Sequence, residues 1–264
     1  YMQQNYTHAI SALESYLSYY PDGLFSIEAN YFLYKSHESL GDLEKSLEFL
    51  SRIINDKENK YTIEGLAELG KISYKLGKYI SAEKYYQKLL ELAPTIDVRQ
   101  KAILGLLESH FQLFKYNQVI NCVDEYVSQN FFSEKDDLRI RYLNAYSLYK
   151  TNQNSKALEM FKWLSLNSDG ELKAESIFYR AQIGYNMGEH KECQELIFQL
   201  IHELPGYKSW VDNGLILLAK NYIVQKDMFQ AQHVLMELEK QSVDPLILDQ
   251  VTTMLMNNFP NVKL

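Results

Sequence analysis

The chain has 264 residues, 46% of them hydrophobic and 23% charged, with a net charge of −7 and a pI near 5.5. That is enough apolar side chain for an extended core. The acidic balance, with no run of Lys and Arg, lacks the basic footprint by which a nucleic-acid binder displaces counterions from phosphates. The longest purely apolar stretch, Leu215–Ala219, is too short to span a bilayer, and no cationic, apolar and small-residue series opens the chain as a signal peptide.

In chain order, the first element is an amphipathic helix over roughly Gln3–Tyr20. Ala9, Leu13, Tyr16, Leu17 and Pro21 give it the pattern of the second helix of a hairpin whose first helix is missing. Tyr1 is not methionine, so the expectation is a processed chain cut from a longer array, with a degenerate cap as the alternative. From about Leu24 to Val243 a single pattern repeats. Its turn residues are Gly41, Gly77, Phe114, Asn152, Gly188 and Lys226, and five places after each turn stands Ser46, Ala82, Val119, Ala157, Cys193 or Ala231. Phe114 and Val119 fit this pattern least well. Small residues in that slot let two helices cross closely, while larger apolar groups at helical spacing fill the gap around them. A last helix runs from Pro245 to about residue 259. One continuous array over 1–264 is expected: an unpaired helix in 1–21, six hairpins in 24–243, and a closing helix in 245–259.

The segment Leu66–Pro94, LAELGKISYKLGKYISAEKYYQKLLELAP, resembles the tetratricopeptide repeat along its whole length. Leu69 and Gly70 form the large-small pair of the first helix, Gly77 makes the turn, and Tyr79, Ala82, Tyr86, Leu89 and Pro94 follow. Ser73 departs from the family, which usually has an aromatic residue there. The resemblance implies an all-α fold, a right-handed α-solenoid of stacked antiparallel helix hairpins whose first helices line a concave groove. It implies a non-catalytic scaffold that holds a partner protein or peptide. The stretch Trp210–Leu238 further resembles the closing repeats of large tetratricopeptide proteins of the Gram-negative cell envelope. That likeness implies a periplasmic or outer-membrane-associated protein.

Carrying the groove register along the first helices gives candidate binding residues. These are Tyr31, Lys35 and Glu38; Glu64, Ala67, Lys71 and Tyr74; Leu104, Glu108 and Phe111; Tyr142, Tyr146 and Tyr149; Phe178, Gln182 and Tyr185; and Ile216, Lys220 and Ile223. The expected groove grips an extended or helical segment through Tyr142, Tyr146, Tyr149, Phe178 and Tyr185, because large rings dominate interface energies. Packing between neighbouring first helices is the other reading of these rings, above all for Tyr149 and Tyr185. Lys71, Lys101 and Arg139 could steer an acidic segment or simply be solvated charges. The family's carboxylate clamp is not matched, since Tyr31 and Lys35 stand among its slots.

No reaction is legible. There is no Gly-rich phosphate loop, GxSxG or HExxH, no cofactor motif, and no metal-ligand spacing around Cys122 or Cys193. Both cysteines fall on buried helix faces. His37, His110 and His190 read as core histidines with a local hydrogen bond, and Asp136 and Asp137 as helix N-terminal charge. Two other functions remain open: a cytoplasmic peptide-sensing regulator, and a glycan- or nutrient-binding helper that stacks sugars on its aromatics.

Overall fold

The structure, a computed structural model, describes residues 5–55, 58–127 and 132–259. Among them there are fourteen α-helices and no strand. In order these are α1 (Tyr6–Tyr19), α2 (Ser26–Ser39), α3 (Leu43–Asn55), α4 (Thr62–Lys75), α5 (Tyr79–Leu92), α6 (Ile96–Gln112) and α7 (Tyr116–Tyr126). Then follow α8 (Glu134–Lys150), α9 (Asn154–Asn167), α10 (Gly170–Met187), α11 (His190–Glu203), α12 (Lys208–Val224), α13 (Met228–Gln241) and α14 (Pro245–Asn258). The fold is an all-α solenoid of antiparallel helix hairpins. It divides into two compact units, Tyr1–Leu143 and Asn144–Leu264, with the division inside α8. In the first unit each helix from α1 to α7 packs on the next, and α4 also touches α6. In the second, α9 to α14 pack in succession, with added contacts of α12 to α10 and α14.

Local chemistry explains the phase of the repeat. Gly41, Gly77, Phe114, Asn152, Gly188 and Lys226 all have positive φ, between 56° and 82°. Each sits one or two places beyond the end of a first helix and closes it in the same way. At the second turn the Gly77 N–H bonds to the Tyr74 carbonyl at 3.0 Å, and the Lys78 N–H bonds to the Ser73 carbonyl at 2.8 Å. The pair recurs at Phe114 with Phe111 and Lys115 with His110, and again at Lys226 with Ile223 and Asp227 with Tyr222. This paired closure satisfies helix-end carbonyls that would otherwise be orphaned. Its geometry reverses the chain at a fixed angle.

Five residues past each turn, Ser46, Ala82, Val119, Ala157, Cys193 and Ala231 are all 0% exposed. The slot therefore lies at the floor of every hairpin, and Val119 fills it as completely as alanine does. Cys122 and Cys193 are buried free thiols, and burial pushes both up to about 12, so each stays a neutral apolar group near neutral pH.

The ends of the array differ from its middle. No residue of α1 is fully buried; Ile10, Leu13 and Leu17 pack partway onto the first unit's core. Gln3, where the first helix was expected to begin, lies outside the described residues. At the other end Asp244 accepts the Leu246 N–H at 2.9 Å and Pro245 opens α14. This last helix lays Ile247, Val251 and Leu255 on Ile216, Ala219, Leu235 and Leu238. Ile216 is 3% exposed, so its expected place in a binding groove is corrected: α14 covers it.

Two further expectations met different outcomes. The acidic run before Leu138 caps α8, with the Asp136 N–H bonded to Ser133 Oγ at 3.2 Å and that hydroxyl donating to Asp136 Oδ2 at 2.7 Å. His37 lacks the local hydrogen bond expected of it: both ring nitrogens are buried without a bonding partner, and Asp42 stands 3.6 Å away. Stacking on Phe49 at 5.4 Å holds the His37 ring instead.

The turns give a direct test. A side chain in the left-handed region costs about 1–2 kcal/mol, partly offset by the backbone entropy that glycine loses on folding. Phe114→Gly and Lys226→Gly should therefore each stabilise the chain by about 1 kcal/mol in urea melts, and Gly77→Ala should destabilise it by a similar amount. Destabilisation by both glycine substitutions would show that the turns do not hold this geometry.

Candidate partner-binding faces

The expected binding residues divide between the units: Tyr31, Lys71, Tyr74, Phe111 and Tyr142 lie in the first, and Tyr146, Tyr149, Phe178, Tyr185 and Lys220 in the second.

In the first unit α2, α4, α6 and the start of α8 carry a mixed aromatic and charged set. The half-buried Tyr31 stacks on Tyr61 with ring centroids 4.3 Å apart, and its hydroxyl donates to Glu64 Oε1 at 3.0 Å. Lys35 Nζ donates to the Tyr34 hydroxyl at 3.0 Å, lies over that ring at 4.7 Å, and is 3.5 Å from Glu38 and 3.8 Å from Glu64. Lys71 is exposed and bonded to Glu68 at 2.8 Å; that bond raises its pKa. Arg139 is bonded to Glu108 at 3.2 Å and reaches over the Tyr142 ring at 5.8 Å. Both Lys71 and Arg139 are thus already paired with carboxylates of the same face, which weakens their expected use in steering an acidic segment.

Further along, Tyr74 is half-buried, packs edge-on to Tyr79 at 5.2 Å, and accepts a hydrogen bond from Gln112 at 3.4 Å. Burial, then the nearby Glu108, raises its pKa. Phe111 lies 6.3 Å from Tyr142 and 6.0 Å from Tyr116.

Tyr86, on the second helix α5, was assigned only to packing by the sequence. Its ring passes between α4 and α6, where a Cβ on Gly70 would stand 2.8 Å from it and one on Gly105 only 2.3 Å. Burial, then Glu108 and Glu68, raises its hydroxyl pKa well above the usual tyrosine range. The two glycines let one ring wedge two consecutive first helices. Gly105→Ala should cost about 1–3 kcal/mol by overpacking, and a thermal or urea melt in a Tyr86→Ala background should recover most of that loss. An unchanged penalty in that background would remove Tyr86 as its cause.

In the second unit the rings converge. Tyr179 is the hub: it stacks on the buried Phe161 at 5.1 Å and meets Tyr146 at 5.3 Å, Tyr149 at 5.4 Å and Phe178 at 5.4 Å. Phe178 also packs on Trp210 at 5.5 Å, and the Trp210 indole N–H donates to Glu171 at 3.4 Å. Lys150 Nζ lies 5.3 Å from the Tyr146 ring centroid and 5.9 Å from that of Tyr149. Tyr146, Tyr149, Phe178, Tyr179 and Trp210 thus form one chain of ring contacts, and Tyr146, Tyr149, Phe178 and Tyr179 are all half-buried. Tyr185 stands apart from it. It packs edge-on to His190 at 6.1 Å, whose Nδ1 is 2.6 Å from Asn221 Oδ1. Lys220 is exposed on α12.

Tyr179 and Trp210 were missed by the sequence, yet a signal exists. Tyr31 lies ten places before its turn at Gly41, and Tyr61 sixteen places before the next turn at Gly77. Phe178 and Trp210 hold the same two offsets, ten from Gly188 and sixteen from Lys226. Each unit therefore builds the same ring-on-ring contact between consecutive first helices.

Residues 63–96 match the family profile described as the tetratricopeptide repeat. This stretch is a tetratricopeptide repeat. Its fold is shared with the C-terminal part of a tetratricopeptide repeat-containing protein from Cytophaga hutchinsonii, at a TM-score of 0.66 and 15% identity over 94% of this chain and 95% of that one. A tetratricopeptide repeat protein from Parabacteroides merdae gives 0.51 and 18% identity over 97% and 94%. YrrB, described as a tetratricopeptide protein with an unusual peptide-binding site, gives 0.58 and 15% over 77% and 97%. Such identities establish a common fold. No curated protein sequence matches the chain significantly. Among the described residues, no three His, Cys, Asp or Glu side chains gather as a metal site, and no helix is long and apolar enough to cross a membrane.

Proposed function

We propose that this chain is a non-catalytic scaffold that captures a segment of a partner protein on its first-helix faces, the ring cluster of the second unit being the main anchor. The observation that carries this reading is the continuous aromatic set of Tyr146, Tyr149, Phe178, Tyr179 and Trp210, flanked by the Lys150 ammonium and the Glu171 carboxylate. Partly exposed rings beside polar groups offer apolar area at low entropic cost and fix the register of a bound segment. A peptide-binding site on YrrB, which shares the fold, supports it by analogy. The likeness of Trp210–Leu238 to closing repeats of envelope proteins supports placing the scaffold in the periplasm or at the outer membrane of a Gram-negative cell.

The test compares two single substitutions in the intact protein. Phe178→Ala should weaken the captured partner at least about tenfold, the loss expected when an anchor ring is truncated. Phe198→Ala, which removes an exposed ring from α11, should leave capture unchanged. Equal affinities for Phe178→Ala and wild type, with helicity intact in both, would exclude the ring cluster as the binding surface.

A further inference from the structure

The helix stack of the first unit has an uncovered end at α1 and the start of α2, which partner capture through the ring cluster does not use. α1 is built as a second helix. Ala9, Tyr16, Leu17 and Pro21 repeat the spacing of Ala82, Leu89, Leu90 and Pro94, and α1 packs on α2 as α5 packs on α6. Yet Ala82 and Leu89 are 0% exposed and Leu90 is buried, whereas Ala9, Tyr16 and Leu17 are only half-buried. In each of the six hairpins a first helix crosses the small slot and seals it. Among the described residues no first helix precedes α1, so the slot at Ala9 stays open.

A second, independent observation lies on α2. Inside the first unit α2 covers the entry to α4 at two points: Tyr31 stacks on Tyr61 at 4.3 Å, and Glu28 Oε1 accepts from Lys60 Nζ at 2.8 Å. Tyr61 and Lys60 stand sixteen and seventeen places before the turn at Gly77. The same two places before Gly41 hold Phe25 and Leu24. With no helix to cover them, Phe25 is 59% exposed and Leu24 87%, beside Tyr20 at 60%. The segment is nonetheless fixed, because the Phe25 N–H donates to the Tyr16 hydroxyl at 3.2 Å and Tyr16 packs on Tyr20 at 5.5 Å. Large apolar groups held together at the surface in this way mark an interaction site.

We propose that this end binds one amphipathic helix of a partner protein, laid antiparallel to α1 across Ala9 as α4 lies across Ala82. The stacking interface of the repeats then continues onto the partner, and its geometry fixes the chemistry of the incoming helix. A ring covers Phe25 as Tyr31 covers Tyr61. Three residues earlier, where α2 carries Glu28 for Lys60, the partner carries an aliphatic side chain for Leu24. A carboxylate there would lose water against Leu24 and gain no cation. A small residue facing Ala9 lets the two helices meet closely.

Fluorescence anisotropy with the intact chain tests the assignment. The probe is a labelled peptide of the α2 sequence, Ser26–Ser39, carrying Glu28→Leu and held helical by a side-chain bridge on its polar face. Saturable binding at one site per chain is expected, and the same peptide with Glu28 restored should bind about tenfold more weakly. Phe25→Ser or Ala9→Leu in the chain, and Tyr31→Ala in the peptide, should each weaken binding at least about tenfold. Should Ala9→Leu disturb α1, Phe25→Ser at its exposed site carries the same expectation. No saturable binding, wild-type affinity in both chain variants, or equal affinity for the Glu28 and Glu28→Leu peptides would overturn the proposal. So would a dimer of the chain alone, seen by sedimentation and dissociated by Phe25→Ser, because a second copy would then hold this end. None of these results bears on partner capture through Phe178.

Discussion

Everything in this fold depends on the close crossing of two helices at one small, fully enclosed residue per hairpin. Ser46, Ala82, Val119, Ala157, Cys193 and Ala231 lie five places beyond a turn residue in left-handed conformation, and none retains any exposure. The paired closing bonds at each turn set the direction of the second helix, and the small slot sets how near it comes. Neither device is sufficient alone. A well-closed turn followed by a bulky slot would splay the hairpin, and a small slot after a loose turn would miss its partner.

That crossing leaves the first helices as the elements with side chains to spare. Their inner positions are consumed by packing, and the offset positions carry rings and charges. In the first unit the charges largely neutralise one another, as Lys35, Lys71 and Arg139 each face a glutamate. In the second, Tyr179 ties Tyr146, Tyr149, Phe178 and Trp210 into a preorganised aromatic set, so little side-chain freedom remains to be lost when a partner arrives. Tyr86, wedged over Gly70 and Gly105, braces the first unit from behind.

The periodic parts of this structure were legible because they obey local rules. Turn positions could be read even where the residue was unsuited, as with Phe114 and Lys226, since phase and not identity marked them. What the sequence concealed depends on neighbours far along the chain. Ile216 fits the groove register, but α14 folds back over it. Tyr179 stands one place from the register and becomes the hub only because Phe161 of α9 offers its ring a flat support. Tyr61 lies three residues before Glu64, and Trp210 six residues before Ile216, so both precede the positions considered for binding on their first helices. The His37 ring was expected to find a hydrogen bond, and packing on Phe49 proved sufficient to hold it.

The most direct measurement is the stability cost of enlarging one small slot. Ala82→Leu inserts three carbons at a site with 0% exposure, and overpacking of this kind costs about 1–3 kcal/mol. The same side chain placed at the exposed Lys84, two residues on, should change stability by no more than about 0.5 kcal/mol. Denaturant melts separating the two variants by that margin are the expected result. Equal stabilities would mean that the helices do not meet at the slot, and the hairpin geometry described here would be wrong.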